Sequence, residues 1–164
     1  MSHQSSIMEN VIQLTEAQKE LIERLGVMSE HDGLQPAPSR VAALLLISPV
    51  TELTFDQIRE TLQLSKSATS NAINLLLTHG KLEYITKPGD RKRYFRSKIS
   101  SWKEEMKAKF SSMYNVADIF EEILKHRPDN TNDFNKNLED IIDIIRYMHA
   151  QLPELYRNWE QSRS

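Results

Sequence analysis

The sequence predicts a mainly α-helical chain with one short β-hairpin, on three observations. Two capped amphipathic helices meet at a tight turn between Thr54 and Gly80, the apolar period changes from helical to alternating after Gly80, and an apolar seam steps by four and three along the C-terminal helix. Helix, turn, helix and basic hairpin in that order make a winged helix-turn-helix, here flanked by N- and C-terminal helices suited to dimerisation.

The elements follow in chain order. Thr15 and Gln18 form a capping-box pair, and Leu14, Ala17, Leu21, Leu25 and Met28 draw a stripe along a helix that should end before His31-Asp32-Gly33. A loop containing Pro36 and Pro38 comes next, then Ser39 as the cap of a compact helix, Arg40 to Ile47. Its Val41, Leu44, Leu45 and Ile47 would form the back of the winged unit, and Pro49 stops it.

Thr54 and Gln57 repeat the capping box, with Leu53 and Ile58 placed for a hydrophobic staple; Phe55, Ile58 and Leu62 give a short first helix its apolar face. A turn through Gln63 and Leu64 leads to Ser65, an N-cap for a second helix that Gly80 ends in a left-handed conformation. Thr69, Ala72, Ile73, Leu76 and Leu77 fall on the inner face of that helix. Lys66, Ser67, Ser70, Asn71 and Asn74 fall on the outer one. The outer face carries hydrogen-bonding groups and no carboxylate, which suits close approach to phosphates and to base edges in a major groove.

Leu82, Tyr84 and Thr86 then alternate with Glu83, Ile85 and Lys87, Pro88-Gly89 reads as a type II turn, and a return strand runs from Arg91 to Phe95. The tip and return strand of this wing carry Lys87, Arg91, Lys92, Arg93, Arg96 and Lys98 against the single acid Asp90.

Beyond the wing, Trp102 to Lys125 reads as a long polar helix with Met106, Phe110, Met113, Ala117, Phe120 and Leu124 repeating, broken at Pro128-Asp129-Asn130. In the last helix Phe134, Leu138, Ile141, Ile145, Met148, Leu152, Leu155 and Trp159 form a heptad seam widened by Ile142 and Tyr156. The seam needs a partner helix, either elsewhere in the chain or on a second copy; three long amphipathic helices around a small winged unit favour the second copy. Pro153 predicts a kink or break near His149. The chain thus divides into an N-terminal dimerisation helix (1–35), a DNA-binding domain (36–100) and C-terminal dimerisation helices (101–164).

The net charge of −2 hides a separation of charge. From Leu64 to Lys98 eight Lys or Arg oppose two acids, for +6, and the remainder carries −8. A positive pole on an acidic body makes association with double-stranded DNA orientation-specific.

Zero cysteines exclude disulfides and thiolate metal sites, and no apolar run approaches a membrane span. The N-terminal MSHQSSIMEN lacks the marks of a secretory signal, so the expectation is a cytoplasmic protein without a membrane partner. Catalytic constellations are absent. The five histidines show no metal-ligand spacing, the four glycines build no phosphate loop, and the adjacent acids lie on helices where neighbours diverge, so neither enzyme activity, metal nor cofactor is expected. The competing function is a winged helix that grips an acidic protein; the absence of a large apolar anchor among Lys66, Ser67, Ser70, Asn71 and Asn74 favours DNA.

The stretch SRVAALLLISPVTELTFDQIRETLQLSKSATSNAINLLLTHGKLEYITKPGDRKRYF, with Trp102 shortly after it, resembles MarR-type winged-helix transcriptional regulators, and within them the branch that regulates glycine betaine synthesis and choline uptake. The resemblance implies a dimer associating through its terminal helices, two recognition helices in successive major grooves and wings at the minor groove or its phosphates; the function expected is that of a homodimeric repressor occupying promoter DNA. It puts Ser67, Ser70 and Asn71 on base-reading positions and Arg91 at the wing tip. Asn71 and Asn74 stand where many relatives carry Arg or Lys, so no operator sequence is transferred. Some members of that branch sense choline through an aromatic cage. Here Tyr84, Tyr94, Phe95, Trp102, Phe110 and Tyr114 are the available rings, and a small-molecule effector is left unassigned.

Overall fold

A computed structural model describes residues 11–163. The chain folds as two compact units, Met1–Ser100 and Ser101–Ser164.

In the first unit, helices α1 (Glu16–His31) and α2 (Pro36–Ile47) precede a two-residue strand β1 (Leu53–Thr54). Helices α3 (Phe55–Thr61) and α4 (Lys66–Thr78) follow, and strands β2 (Leu82–Thr86) and β3 (Arg93–Ser97) complete it. The strands form one antiparallel sheet in the order β1-β3-β2, with Leu53 opposite Phe95 and Tyr84 also opposite Phe95. This is a winged helix-turn-helix. Its core gathers Val41, Leu44, Leu53, Ile58, Leu76 and Phe95, with Ala72, Ile73 and Leu82 around them.

Both predicted capping boxes are present: Thr15 Oγ1 accepts from Gln18 N and Gln18 Oε1 accepts from Thr15 N, and Thr54 and Gln57 do the same. Leu53 and Ile58 are fully buried on either side of the second box, as a staple requires. Helices α1, α3 and α4 end in one common pattern, the Schellman motif. The residue past the cap adopts positive φ and its N–H, with that of the next residue, reaches back to carbonyls of the last turn. Gly33 (φ 92°) and Gly80 (φ 66°) fill that position in α1 and α4, but Gln63 fills it in α3 at φ 52°, the one non-glycine with positive φ among the described residues. The helix-turn-helix corner therefore rests on a left-handed glutamine.

Three expectations are corrected. Helix α2 begins at Pro36, not at Ser39: proline's fixed φ suits the first helical position, where no N–H partner is needed, and Ser39 is buried with its hydroxyl donating to Gln35 O (2.8 Å). The inward face of α1 is Ile22, Leu25 and Gly26, while Leu21 and Met28 of the expected stripe are exposed. Gly26 lies under the Arg40 side chain, where a Cβ would stand 3.2 Å from the guanidinium carbon. Arg40 is clamped in turn by Glu23 (2.9 Å) and Glu30. Strand β3 starts at Arg93, two residues later than expected, because Asp90 and Lys92 are occupied by the turn.

The second unit is a helical hairpin of α5 (Trp102–Lys125) and α6 (Asn132–Gln161). Their antiparallel pairing is visible in Trp102 against Trp159 (ring centroids 5.5 Å apart) and in Arg146 bonded to Glu121 (2.6 Å). Arg127 ties the connection, donating to Asn135 Oδ1 (2.8 Å) and lying over the Phe134 ring. Helix α6 continues through Pro153 as one helix, so of the kink or break expected near His149 the break does not occur. The heptad seam also divides. Leu138 and Ile142 are buried with Ala117, whereas Phe134, Ile141, Met148 and Leu155 are exposed, joined on the outside by Ile144 and Tyr147. No described helix is long and apolar enough to cross a membrane.

Candidate nucleic-acid interface

Helix α4 presents the polar face read from its sequence. Thr69, Ala72, Ile73 and Leu76 are buried, which turns Lys66, Ser67, Asn71 and Asn74 to solvent and leaves Ser70 half-buried. Ser65 caps the helix, its Oγ accepting from Ala68 N (3.1 Å) and lying 3.1 Å from the Ser67 hydroxyl. No acid lies in the first turn of α4, so the positive end of its backbone dipole faces outward beside Lys66 without opposition.

The wing stands next to that face. A cleft between them is lined by Ser70 and Asn74 of α4, Arg91, Lys92 and Arg93 of the wing, and Asp56 at the start of α3. Two groups of predicted contact residues, distant in sequence, thus share one groove. Arg93 lies over the Tyr84 ring, 4.8 Å from its centroid, which orients the guanidinium while leaving its N–H groups available.

The wing tip is built around its one acid. Lys87, Pro88, Gly89 and Asp90 form a turn closed by Asp90 N donating to Lys87 O (3.0 Å), with Gly89 at φ 81° where a type II turn requires it. Asp90 then accepts the Tyr94 hydroxyl (2.6 Å) on one carboxylate oxygen and the Lys92 N–H (2.9 Å) on the other. The Tyr94 hydroxyl bond, with the Lys92 backbone bond second, holds the Asp90 carboxyl below the ordinary aspartate range; the same bond pushes the Tyr94 phenol up. Asp90 acts as the latch of the turn that carries Arg91 and Lys92. Among the described residues, those two cations form no ion pair.

Lys87 has a different setting. Its ammonium lies 2.9 Å from Glu52 and 4.1 Å from the centroid of the Tyr94 ring. Arg96 bonds Glu83 (2.6 Å) and approaches the other Glu52 oxygen at 3.8 Å. The hydrogen bond that Lys87 donates to the Glu52 carboxylate raises the Lys87 pKa above the usual lysine value. The pleat explains the separation. Phe95 and its partner Tyr84 lie on the core side with Arg93, while Tyr94, Arg96 and Glu83 alternate onto the other side, where Lys87 joins them. Sequence reasoning placed Lys87 with the other wing cations and did not single out Glu52, whose only sequence signal is an acid preceding a buried strand residue.

The aromatic residues are dispersed. Phe95 is core, Tyr84 and Tyr94 support cations in the wing, Trp102 meets Trp159, and Tyr114 packs on the His149 ring at 4.5 Å. Phe110 lines a hollow with His149, Leu152 and Tyr156.

No family model matches the chain. Among curated proteins it is similar to the HTH-type transcriptional regulator MmpR5 of Mycobacterium tuberculosis, with 20% identity over 142 residues that span 87% of this chain and 86% of that protein. Among solved structures it is similar to a chain whose crystal structure is described as that of a transcriptional regulator. The TM-score is 0.64 at 20% identity, over 88% of this chain and 99% of that one. At that identity the structural likeness shows the fold.

Proposed function

We propose that this chain is a DNA-binding transcriptional regulator of the MarR type that acts as a homodimeric repressor, occupying a pseudo-palindromic operator. The observation that carries the proposal is the groove in which Ser70 and Asn74 of a carboxylate-free helix face stand beside Arg91, Lys92 and Arg93 of the wing. Base-edge recognition falls to Ser67, Ser70, Asn71 and Asn74, and phosphate contact to Lys66 and to Arg91, Lys92 and Arg93 of the wing. The names carried by the similar proteins support the same function.

Self-association is supported by the second unit, where among the described residues only Ala117, Leu138 and Ile142 are buried across two long helices, while Ile119, Ile144, Tyr147 and Leu155 stand half or more exposed. Water-exposed apolar rows of that length call for a partner helix. Two-fold symmetry would set the recognition helices about 34 Å apart, one turn of DNA. A salt titration of binding to the DNA upstream of the chain's own gene, against an unrelated duplex, tests the function. Asn71→Ala should change the preference between the two and leave the salt slope intact; equal loss on both sequences would remove Asn71 from base reading.

A further inference from the structure

The wing's cations are not equivalent. Arg91 and Lys92 project from the latched turn, and Arg93 lines the groove beside α4. Lys87 lies on the opposite side of the pleat, and its ammonium already has an anionic partner.

That partner is rigidly placed. Glu52 precedes Leu53, which is fully buried and paired with Phe95, so the carboxylate is anchored at the edge strand of the sheet. Its side chain is 24% exposed against 47% for Lys87, which makes the acid the less hydrated member of the pair. Arg96, the other cation near Glu52, has its Nε bonded to Glu83 at 2.6 Å. Glu52 therefore depends on Lys87 for its close ion pair. A DNA phosphate reaching Lys87 has to displace Glu52, and until then the carboxylate repels that phosphate by the same Coulombic rule that attracts the ammonium.

We propose that Glu52 is an internal competitor for DNA phosphate, which withholds Lys87 from the nucleic acid so that the wing meets DNA through Arg91, Lys92 and Arg93. The proposal rests on the DNA-binding function proposed above. Its consequence is a moderated electrostatic grip: one fewer phosphate contact is open on every sequence, which lowers affinity for any duplex by about fivefold near physiological salt. An ordinary lysine is already protonated near neutral pH, so the exchange is one of anionic partners and not of a proton.

The test is the salt dependence of binding to a short duplex of arbitrary sequence, measured by fluorescence anisotropy for the full chain and its variants. Each phosphate contact contributes about 0.9 to the slope of log K against log salt. Lys87→Ala is expected to leave the slope of the native chain unchanged. Glu52→Gln is expected to steepen it by about 0.9, and Glu52→Gln combined with Lys87→Ala to return it to the native value. If Glu52→Gln melts early, Glu52→Asp, whose shorter arm draws back from Lys87, serves in its place with the same expected direction. Flattening by Lys87→Ala alone, or no response to the Glu52 substitutions, overturns the proposal. Arg91→Ala with Lys92→Ala is the control. If that pair flattens the slope while Glu52 does nothing, only the competitor role falls; if that pair does nothing, or the native chain binds no duplex, DNA binding through the wing falls and takes the Glu52 role with it.

Discussion

Replacing Arg91 and Lys92 together by alanine removes the two wing cations that carry no ion pair among the described residues, so the full cost should appear in DNA binding. Their turn is held by backbone and Asp90 contacts: Asp90 N to Lys87 O, and the Lys92 N–H and Tyr94 hydroxyl to the Asp90 carboxylate. None of these uses either cationic head, so the wing should keep its shape when both are removed. Without these two partners for phosphate, the slope of log K against log salt should fall by about 1.8, and affinity near 0.15 M salt by about thirtyfold on any duplex. Fluorescence anisotropy across a salt series on specific and unrelated duplexes reads both quantities. A loss confined to one sequence, or a slope that moves by less than about half of one phosphate's worth, would refute the assignment of these side chains to phosphate.

Three further outcomes are expected. Tyr94→Phe removes the main cause of the depressed Asp90 pKa, so a carbon-detected NMR titration should find the Asp90 midpoint closer to the ordinary aspartate value; an unmoved midpoint would deny the latch. In sign, a depressed carboxyl stabilises the folded wing above its unfolded pKa and loses that contribution as pH falls through the folded value, so the latch should hold at neutral pH and weaken below about pH 4 in the native chain. Gln63→Gly should relieve the left-handed strain at the helix-turn-helix corner. The gain, offset by the freer unfolded chain, should be about 0.5–1 kcal/mol and raise the calorimetric Tm by a few degrees, and a lower Tm would contradict the strain. Ile144→Glu with Leu155→Glu puts charge on residues 50% and 60% exposed, so helix content should survive while sedimentation shows monomers; a dimer that persists would locate the interface elsewhere.

The locally encoded parts of this protein were legible in its residues. Both capping boxes, the Ser65 cap, the left-handed Gly80, the Pro88-Gly89 turn and the polar face of α4 are settled by groups a few positions apart, and such signals survive without knowledge of the rest of the chain. The limits of α5 from Trp102 to Lys125 are of the same kind. Where periodicity counts only apolar residues, it misplaces the face: Gly26 is buried in α1 because a missing side chain, not an apolar one, admits Arg40.

Tertiary structure alone decided what depends on partners distant in the chain. Strand β1 exists only because Leu53 and Thr54 find Phe95 and Tyr94, and two residues leave no alternation to read. The split of the α6 seam into a buried and an exposed row follows from where α5 lies against it. The sequence by itself determined that a cationic wing follows a carboxylate-free helix; the fold decided which wing cations remain unpaired. Charge is a property of the residue, but its availability is set by which carboxylate the pleat brings within three ångströms, as Glu52 is brought to Lys87.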